Sequence, residues 1–394
     1  MRILFATESY FPNIDGGAIA QHRLVKELVK KGNEVGVIAP GFKFKNYEEE
    51  DNGSTIFRVK ALTLPFYMDN KYHFSPYPLF QINKIIKSFK PDIVNVCSPY
   101  PIGICTVICA KKHDIPVVGS IHILPENMLS PFLNSRLYKT LNKYAWSYLV
   151  YFFNMIESTT IPTSTGAQMY IKKGLKTKIK PISNGVNTQV FNPNNNGDYL
   201  KKKFNIPDKD TVLYTGRISN EKNLDILVKA IPHVIKEIDS HFVFCGSGGA
   251  YKQKIKKLTK DLNVSNNTTF LDFLDWEDYI NIYSLADLFV MPAEAELQSI
   301  VTMEAIASGL PAVVVNKGAV PELVSLDNGL IFESQNSKQL AENIVKILSD
   351  KKLKKSMSKN SLKLIKKHSM NYVAQQFEAL YQELISKKKL GDIN

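Results

Sequence analysis

Cysteine is scarce in this chain, at 4 among 394 residues. Cys97, Cys105, Cys109 and Cys245 form no C-x-x-C and sit in apolar runs. Buried reduced thiols are therefore expected, not disulfides or a metal site. Long hydrophobic runs are also missing. The longest apolar patch, Ala145 to Ile156, is interrupted by Ser147 and Asn154 and is too short to span a bilayer. The first residues, M-R-I-L-F-A-T-E, lack the long apolar core and small-residue cleavage site of a signal peptide. The cytoplasm is the expected compartment. Acidic residues are outnumbered, 37 against 50 basic ones, which leaves a net charge of +13. No nucleic-acid-binding motif accompanies that charge, and the lysines spread over many segments. An anionic membrane surface and a basic composition without partner meaning stay open; nucleic acid is not expected as a partner.

The composition that remains, 44% hydrophobic and 22% charged, is that of a soluble globular protein. Its length exceeds one usual core, so two domains are expected. Strand and helix patterns alternate through both halves, which predicts two doubly wound α/β domains with a ligand cleft between them. A strand at Ile3–Ala6, a loop carrying Gly16 and Gly17, and a helix from Ala18 to Lys31 open the first half. Residues 41–78 read as irregular, with Lys43, Lys45, Lys60 and Lys71 among several aromatics. The breaker-rich stretch Phe191–Asp198 reads as the linker. The boundaries follow as 1–190 and 191–371, with a last helix near 372–394 returning to the first domain.

One stretch organises the rest, E-A-E-L-Q-S-I-V-T-M-E-A-I-A-S-G-L-P at 294–311. It follows a buried-strand pattern ending at Met291, and its helix should begin near Gln298 or Ser299 and stop at Gly309 and Pro311. Glu296 and Glu304 frame it. On one regular helix, eight residues would separate them by ~12 Å, too far for an acid/base pair on one atom. That span suits the two ends of a long ligand, with the helix-start amides facing an anion between them. One surface Glu and one structural Glu would explain the spacing equally well. Arg217 and Lys222 follow the strand Val212–Thr215 and make a candidate diphosphate clamp. G-S-G-G at 246–249 fits a phosphate-holding loop but reads more readily as a tight turn. His122 sits beyond the strand Val117–Ile121, where open parallel sheets bind ligands. The segment Ser130–Asn154 mixes Arg136, Lys139 and Lys143 with many aromatics, which fits either a core helix or one lying in a membrane interface.

Four stretches occur in order: the Gly16-Gly17 loop, S-N-G-V-N-T-Q-V-F at 183–191, Y-T-G-R-I-S-N-E-K-N-L-D at 214–225, and the E-x₇-E segment. Together they resemble glycosyltransferase family 4, retaining enzymes of the GT-B fold, over nearly the whole chain. The resemblance implies two Rossmann-like domains facing a central cleft and a nucleotide-diphosphate sugar, UDP- or GDP-linked, as donor substrate. No further cofactor is implied, and a catalytic metal is not indicated. By the same resemblance Arg217 and Lys222 hold the diphosphate, Glu304 bonds the ribose and Glu296 meets the transferred sugar. Leu297, Gln298, Ser299 and Ile300 supply amides to sugar and phosphate, Gly16 and Gly17 approach the phosphates, and His122 faces the reacting sugar. Leu297-Gln298 departs from the Phe-Gly of many members, which leaves the donor sugar open. Diacylglycerol glucosyltransferases and phosphatidylinositol mannosyltransferases of this family suggest a membrane-lipid acceptor. A polysaccharide or other soluble acceptor, a sugar-nucleotide epimerase, and a non-catalytic nucleotide-sugar binding protein are the alternatives.

Overall fold

The computed structural model describes residues 1–13, 15–63, 72–129 and 136–391. Contacts divide these residues into two units, one running to Gly185 and resuming at Met370, the other covering Val186–Ser369.

In the N-terminal unit, β1 (Arg2–Ala6), α1 (Gly16–Lys30) and β2 (Glu34–Pro40) begin the alternation. The helix starts at Gly16, ahead of the expected Ala18, because Asp15 caps it by accepting the Ala18 N–H at 3.0 Å. The stretch expected to be irregular contains β3 (Tyr47–Asp51) and β4 (Ser54–Val59), paired antiparallel. Asn52 and Gly53 both have positive φ, 51° and 81°, and close that hairpin as an Asn-Gly pair does. Lys71 lies outside the described residues. The unit continues with α2 (Leu79–Phe89), β5 (Ile93–Val96), α3 (Pro101–Lys112), β6 (Val117–Ser120), α4 (Pro125–Leu129), α5 (Arg136–Phe153), β7 (Ser158–Ile161), α6 (Ser164–Lys172) and β8 (Lys178–Pro181). The one helix expected over Ser130–Asn154 is thus represented by α5; residues 130–135 lie outside the described residues. The sheet order is β8-β7-β6-β5-β1-β2-β4-β3. Its central strands are buried, apart from Arg2 at the start of β1, which is why they read as continuous apolar runs.

The C-terminal unit runs through α7 (Asp198–Lys203), β9 (Asp210–Thr215), α8 (Leu224–Val234), β10 (Ser240–Cys245), α9 (Ala250–Asp261), β11 (Thr268–Leu271) and α10 (Trp276–Asn281). It ends with β12 (Leu288–Met291), α11 (Ile300–Ala307), β13 (Ala312–Val315), β14 (Gly329–Phe332), α12 (Ser337–Ser349) and α13 (Lys351–Leu364). Its sheet, β11-β10-β9-β12-β13-β14, is parallel throughout. The stretch expected to be linker belongs to this core: Phe191 is fully buried and meets the rings of Trp276, Tyr279 and Tyr283 edge-on. Asparagines pack the turns around it, and their number made the stretch look like a tether. Lys354, in the lysine-rich α13, reaches Asp287 at 2.7 Å and Asp210 at 3.4 Å.

The last helix, α14 (Met370–Lys389), packs on the N-terminal unit. Val373, Phe377, Leu380 and Tyr381 join the cluster built around Leu24, Leu28 and Ile3. The Tyr381 hydroxyl accepts a buried hydrogen bond from Asn95 Nδ2 on β5.

Candidate active site

In the C-terminal unit the strand order reverses between β9 and β12, and ligands of open parallel sheets sit beyond the strand ends at such a point. Arg217 follows β9 and Glu296 follows β12. Lys222 and Glu296 form an ion pair in which both side chains are largely shielded. Arg217 Nη2 lies 2.7 Å from Glu221 Oε1, which also accepts from Ser219 Oγ at 2.6 Å. Each cation emerging at this edge is thus balanced by a carboxylate supplied from nearby.

Beyond β12 the chain runs irregularly through Glu296, Leu297 and Gln298 before α11 starts at Ile300. Ser299 caps that helix, its Oγ accepting from Thr302 N at 3.3 Å and from Thr302 Oγ1 at 2.8 Å. Leu297, Gln298 and Ser299 are all buried, so the segment is fixed by packing. Glu304, 1% exposed, lies inside α11. Its Oε2 accepts from the hydroxyls of Tyr279 at 2.6 Å and Tyr283 at 2.8 Å. Tyr283 also meets Thr215 Oγ1 at 3.0 Å, at the end of β9. Burial raises the Tyr283 hydroxyl well above its ordinary range, so it stays a donor to the carboxylate. The sequence reading missed these tyrosines. Their spacing of four residues, one face of a helical turn, was the available signal.

In the N-terminal unit the reversal falls between β1 and β5. Gly16 and Gly17 form the first turn of α1, and a Cβ on Gly17 would lie 3.6 Å from the His122 Cβ. The two features are therefore neighbours. His122 stands just past β6, and burial pulls its imidazole down to about 4, against the Asp15 carboxylate and a hydrogen bond with Asn184. A small cavity adjoins it, lined by Gln21, Ser120, Thr160 and Asn184 among others. Glu8 lies between the ends of β1 and β5. Its Oε1 accepts from Ile102 N at 2.7 Å, at the start of α3, and its other oxygen is bonded to Ser98 Oγ. Burial pushes its carboxyl up to about 7 despite those bonds. The sequence reading missed Glu8, which no motif singles out.

Among the described residues no group of three acidic, His or Cys side chains could hold a metal ion. The tripeptide Asp208-Lys209-Asp210 has the D-x-D pattern, yet it precedes and begins β9, at the end away from Arg217. Lys201 holds Asp208 and Lys354 holds Asp210.

Two doubly wound α/β units, one with cations at its strand-order reversal, place the protein among ligand-binding Rossmann-like α/β proteins. Comparison with known proteins agrees. Residues 14–190 match the family described as Glycosyltransferase Family 4, and residues 197–364 match Glycosyl transferases group 1. An uncharacterized glycosyltransferase of Methanocaldococcus jannaschii is 26% identical over 97% of this chain and 98% of its own. The alpha-monoglucosyldiacylglycerol synthase of Acholeplasma laidlawii is 25% identical over 99% of this chain and all of its own. Among solved structures, sucrose-phosphate synthase from Thermosynechococcus elongatus has a TM-score of 0.77 at 19% identity, covering 98% of this chain and 99% of its own. HepE of Anabaena, solved with UDP and glucose, has a TM-score of 0.75 at 18% identity, covering 98% and 100%. The chain belongs to the family-4-like glycosyltransferases of the GT-B fold.

Proposed function

We propose that the protein is a retaining hexosyltransferase that takes its sugar from a UDP- or GDP-linked donor and passes it to a membrane lipid of the diacylglycerol class. The observation that carries the donor half is the balanced charge at the reversal between β9 and β12. There Lys222 is paired with Glu296 and Arg217 with Glu221. In this reading the diphosphate displaces carboxylates from two cations that are already positioned. Arg217 bonds it bidentately and Lys222 follows the charge as the nucleotide departs. Leaving-group stabilisation by fixed charges, with the amides at Leu297, Gln298, Ser299 and Ile300, supplies the catalysis. Glu296, released from Lys222, bonds the sugar hydroxyls. Glu304, oriented by Tyr279 and Tyr283, bonds the ribose. In the N-terminal unit Gly16 and Gly17 let phosphate approach the backbone. His122, neutral at physiological pH, offers a hydrogen bond to the reacting sugar and no charge.

The acceptor half rests on α5. Leu137, Leu141, Tyr144, Tyr148 and Tyr151 are exposed along it beside Lys139 and Lys143, a composition suited to an anionic membrane interface. No helix among the described residues is long and apolar enough to cross a membrane; the contact we propose is peripheral, on the cytoplasmic face. The lipid named in the Acholeplasma relative supports the same acceptor class.

A thermal-shift screen of UDP-, GDP- and ADP-sugars tests the donor, since a bound donor raises Tm by mass action. One nucleotide series should stabilise the protein. No response to any of them removes the donor reading. Transfer of labelled sugar to diacylglycerol in vesicles, set against soluble glycan acceptors, tests the other half. Product on the soluble acceptors alone would replace the lipid with a soluble substrate.

A further inference from the structure

Lys252, on α9, is 3% exposed, an unusual position for an ammonium group. Its Nζ donates to the Gly246 carbonyl at 3.1 Å, the Leu271 carbonyl at 3.0 Å and Asp272 Oδ1 at 2.6 Å. Three donors meet three acceptors, which is what a buried ammonium requires. Leu271 ends β11 and Gly246 follows β10, so one charge ties together the ends of two adjacent strands.

The loop held in this way touches the segment that bears Arg217. Gly246 has φ +154°, and a Cβ there would fall 1.9 Å from the Gly216 carbonyl oxygen. A Cβ on Gly248 would fall 2.4 Å from the Ile218 carbonyl oxygen. The contact is backbone on backbone, and only glycine permits it. Gly216 N donates to Cys245 O at 3.0 Å and Ile218 N to Ser247 O at 2.8 Å, which fixes the chain on both sides of Arg217. G-S-G-G at 246–249 is therefore the seat of the 216–218 segment, and Lys252 is what anchors the seat.

We infer that Lys252 is a positioning residue for Arg217: its buried ammonium, by holding the Gly246 and Leu271 carbonyls, sets where the Arg217 guanidinium stands. The inference rests on the reading of Arg217 as the diphosphate ligand. Lys252 itself touches no substrate, because its three protons are already committed within the loop.

The experiment compares wild type with Lys252→Met, Lys252→Arg, Gly248→Ala and a surface control, Lys257→Met. Binding of UDP, GDP and inorganic pyrophosphate is measured by calorimetry, and KM and kcat by transfer from the donor found in the screen. Lys252→Met should weaken diphosphate binding and lower kcat/KM by about a hundredfold, the scale of a displacement near 1 Å. Lys252→Arg, which keeps donors to the carbonyls, should recover most of that loss, and Lys257→Met should match wild type. A purely structural role predicts a lower Tm with unchanged pyrophosphate binding, and that result overturns the inference. Should Lys252→Met fail to fold, Gly248→Ala and Lys252→Arg decide. Weakened pyrophosphate binding in Gly248→Ala, with near-normal binding in Lys252→Arg, upholds it, and wild-type binding in Gly248→Ala overturns it. If wild type binds no diphosphate, the reading of Arg217 has failed, and that outcome is distinct from the variant results.

Discussion

The two units carry related sheets but opposite chemistry at the places where strand order reverses. In the C-terminal unit the edge presents Arg217 and Lys222, each already matched by a carboxylate. In the N-terminal unit it presents Glu8, with its carboxyl raised to about 7, and nearby His122, with its imidazole lowered to about 4. The first edge presents two ion pairs. The second shifts its ionisable groups toward their neutral forms by burying them. One topology thus carries paired charges at one edge and buried groups with shifted titration at the other, the contrast on which the proposed roles of donor diphosphate and acceptor hydroxyl rest. Fold alone does not set this; the side chains placed at the strand ends do.

Removing a cation should break the contrast most severely. Arg217→Ala is expected to lower kcat/KM for transfer by about 10²–10³, the usual loss for one preorganised donor, while Tm changes little because Arg217 is half exposed. Steady-state kinetics beside a melting curve checks both parts. Unchanged turnover would remove Arg217 from the site. Glu304→Gln should come next. It keeps an acceptor for Tyr279 and Tyr283 but loses the charge, so nucleotide affinity should fall about tenfold, near the value of one charge-assisted hydrogen bond. Glu304→Ala would add a stability loss of about 1–3 kcal/mol by removing the charged acceptor that the Tyr279 and Tyr283 hydroxyls share, and comparing Tm of the two variants separates binding from packing.

His122 sharpens the other side of the comparison. Its folded value lies below the ordinary one, so between about 6.5 and 4 the unfolded chain binds a proton that the folded chain refuses. Stability is lost as pH falls through that window. His122→Asn should flatten this acid-side loss in Tm measured from pH 7 to 4.5. An identical slope in both proteins would mean that His122 does not titrate as described. The transfer rate should show no inflection near 6.5 that disappears with His122.

Much of the C-terminal unit was legible in the sequence because its signals are local. Glycines and prolines punctuate short apolar strands, and Ser299 marks the start of α11 almost to the residue. The pairing of Lys222 with Glu296 was not legible, since 74 residues separate the partners and only the sheet order brings them together. Phe191 misled for a related reason. Its neighbours Asn192, Pro193, Asn194 and Asn195 have the composition of a tether, yet one buried aromatic ring pins the segment into the core. The hairpin at Asn52-Gly53 had a clear turn signal. The acidic run Glu48–Asp51 hid it, because an exposed edge strand need not alternate. Glu8 left no trace, as its meaning depends on Ser98 and Ile102 at the far end of β5.

Glu8 also yields the smallest predicted effect. Its folded value is raised, so between about 4.5 and 7 the folded state holds a proton that the unfolded chain has released. The stabilisation is therefore complete at low pH and fades as pH rises through 7. In the protonated form one oxygen still accepts from Ile102 N, and the added proton can be donated to Ser98 Oγ. Gln reproduces that neutral pattern, with a carbonyl for the helix start and an amide N–H for the serine. Glu8→Gln should thus match wild type near pH 5 and melt a few degrees higher than wild type at pH 8.5. A Tm difference that stays constant across that range would show that Glu8 is an ordinary carboxylate. The two reversal edges would then share the same charged character, and the contrast between them would rest on His122 alone.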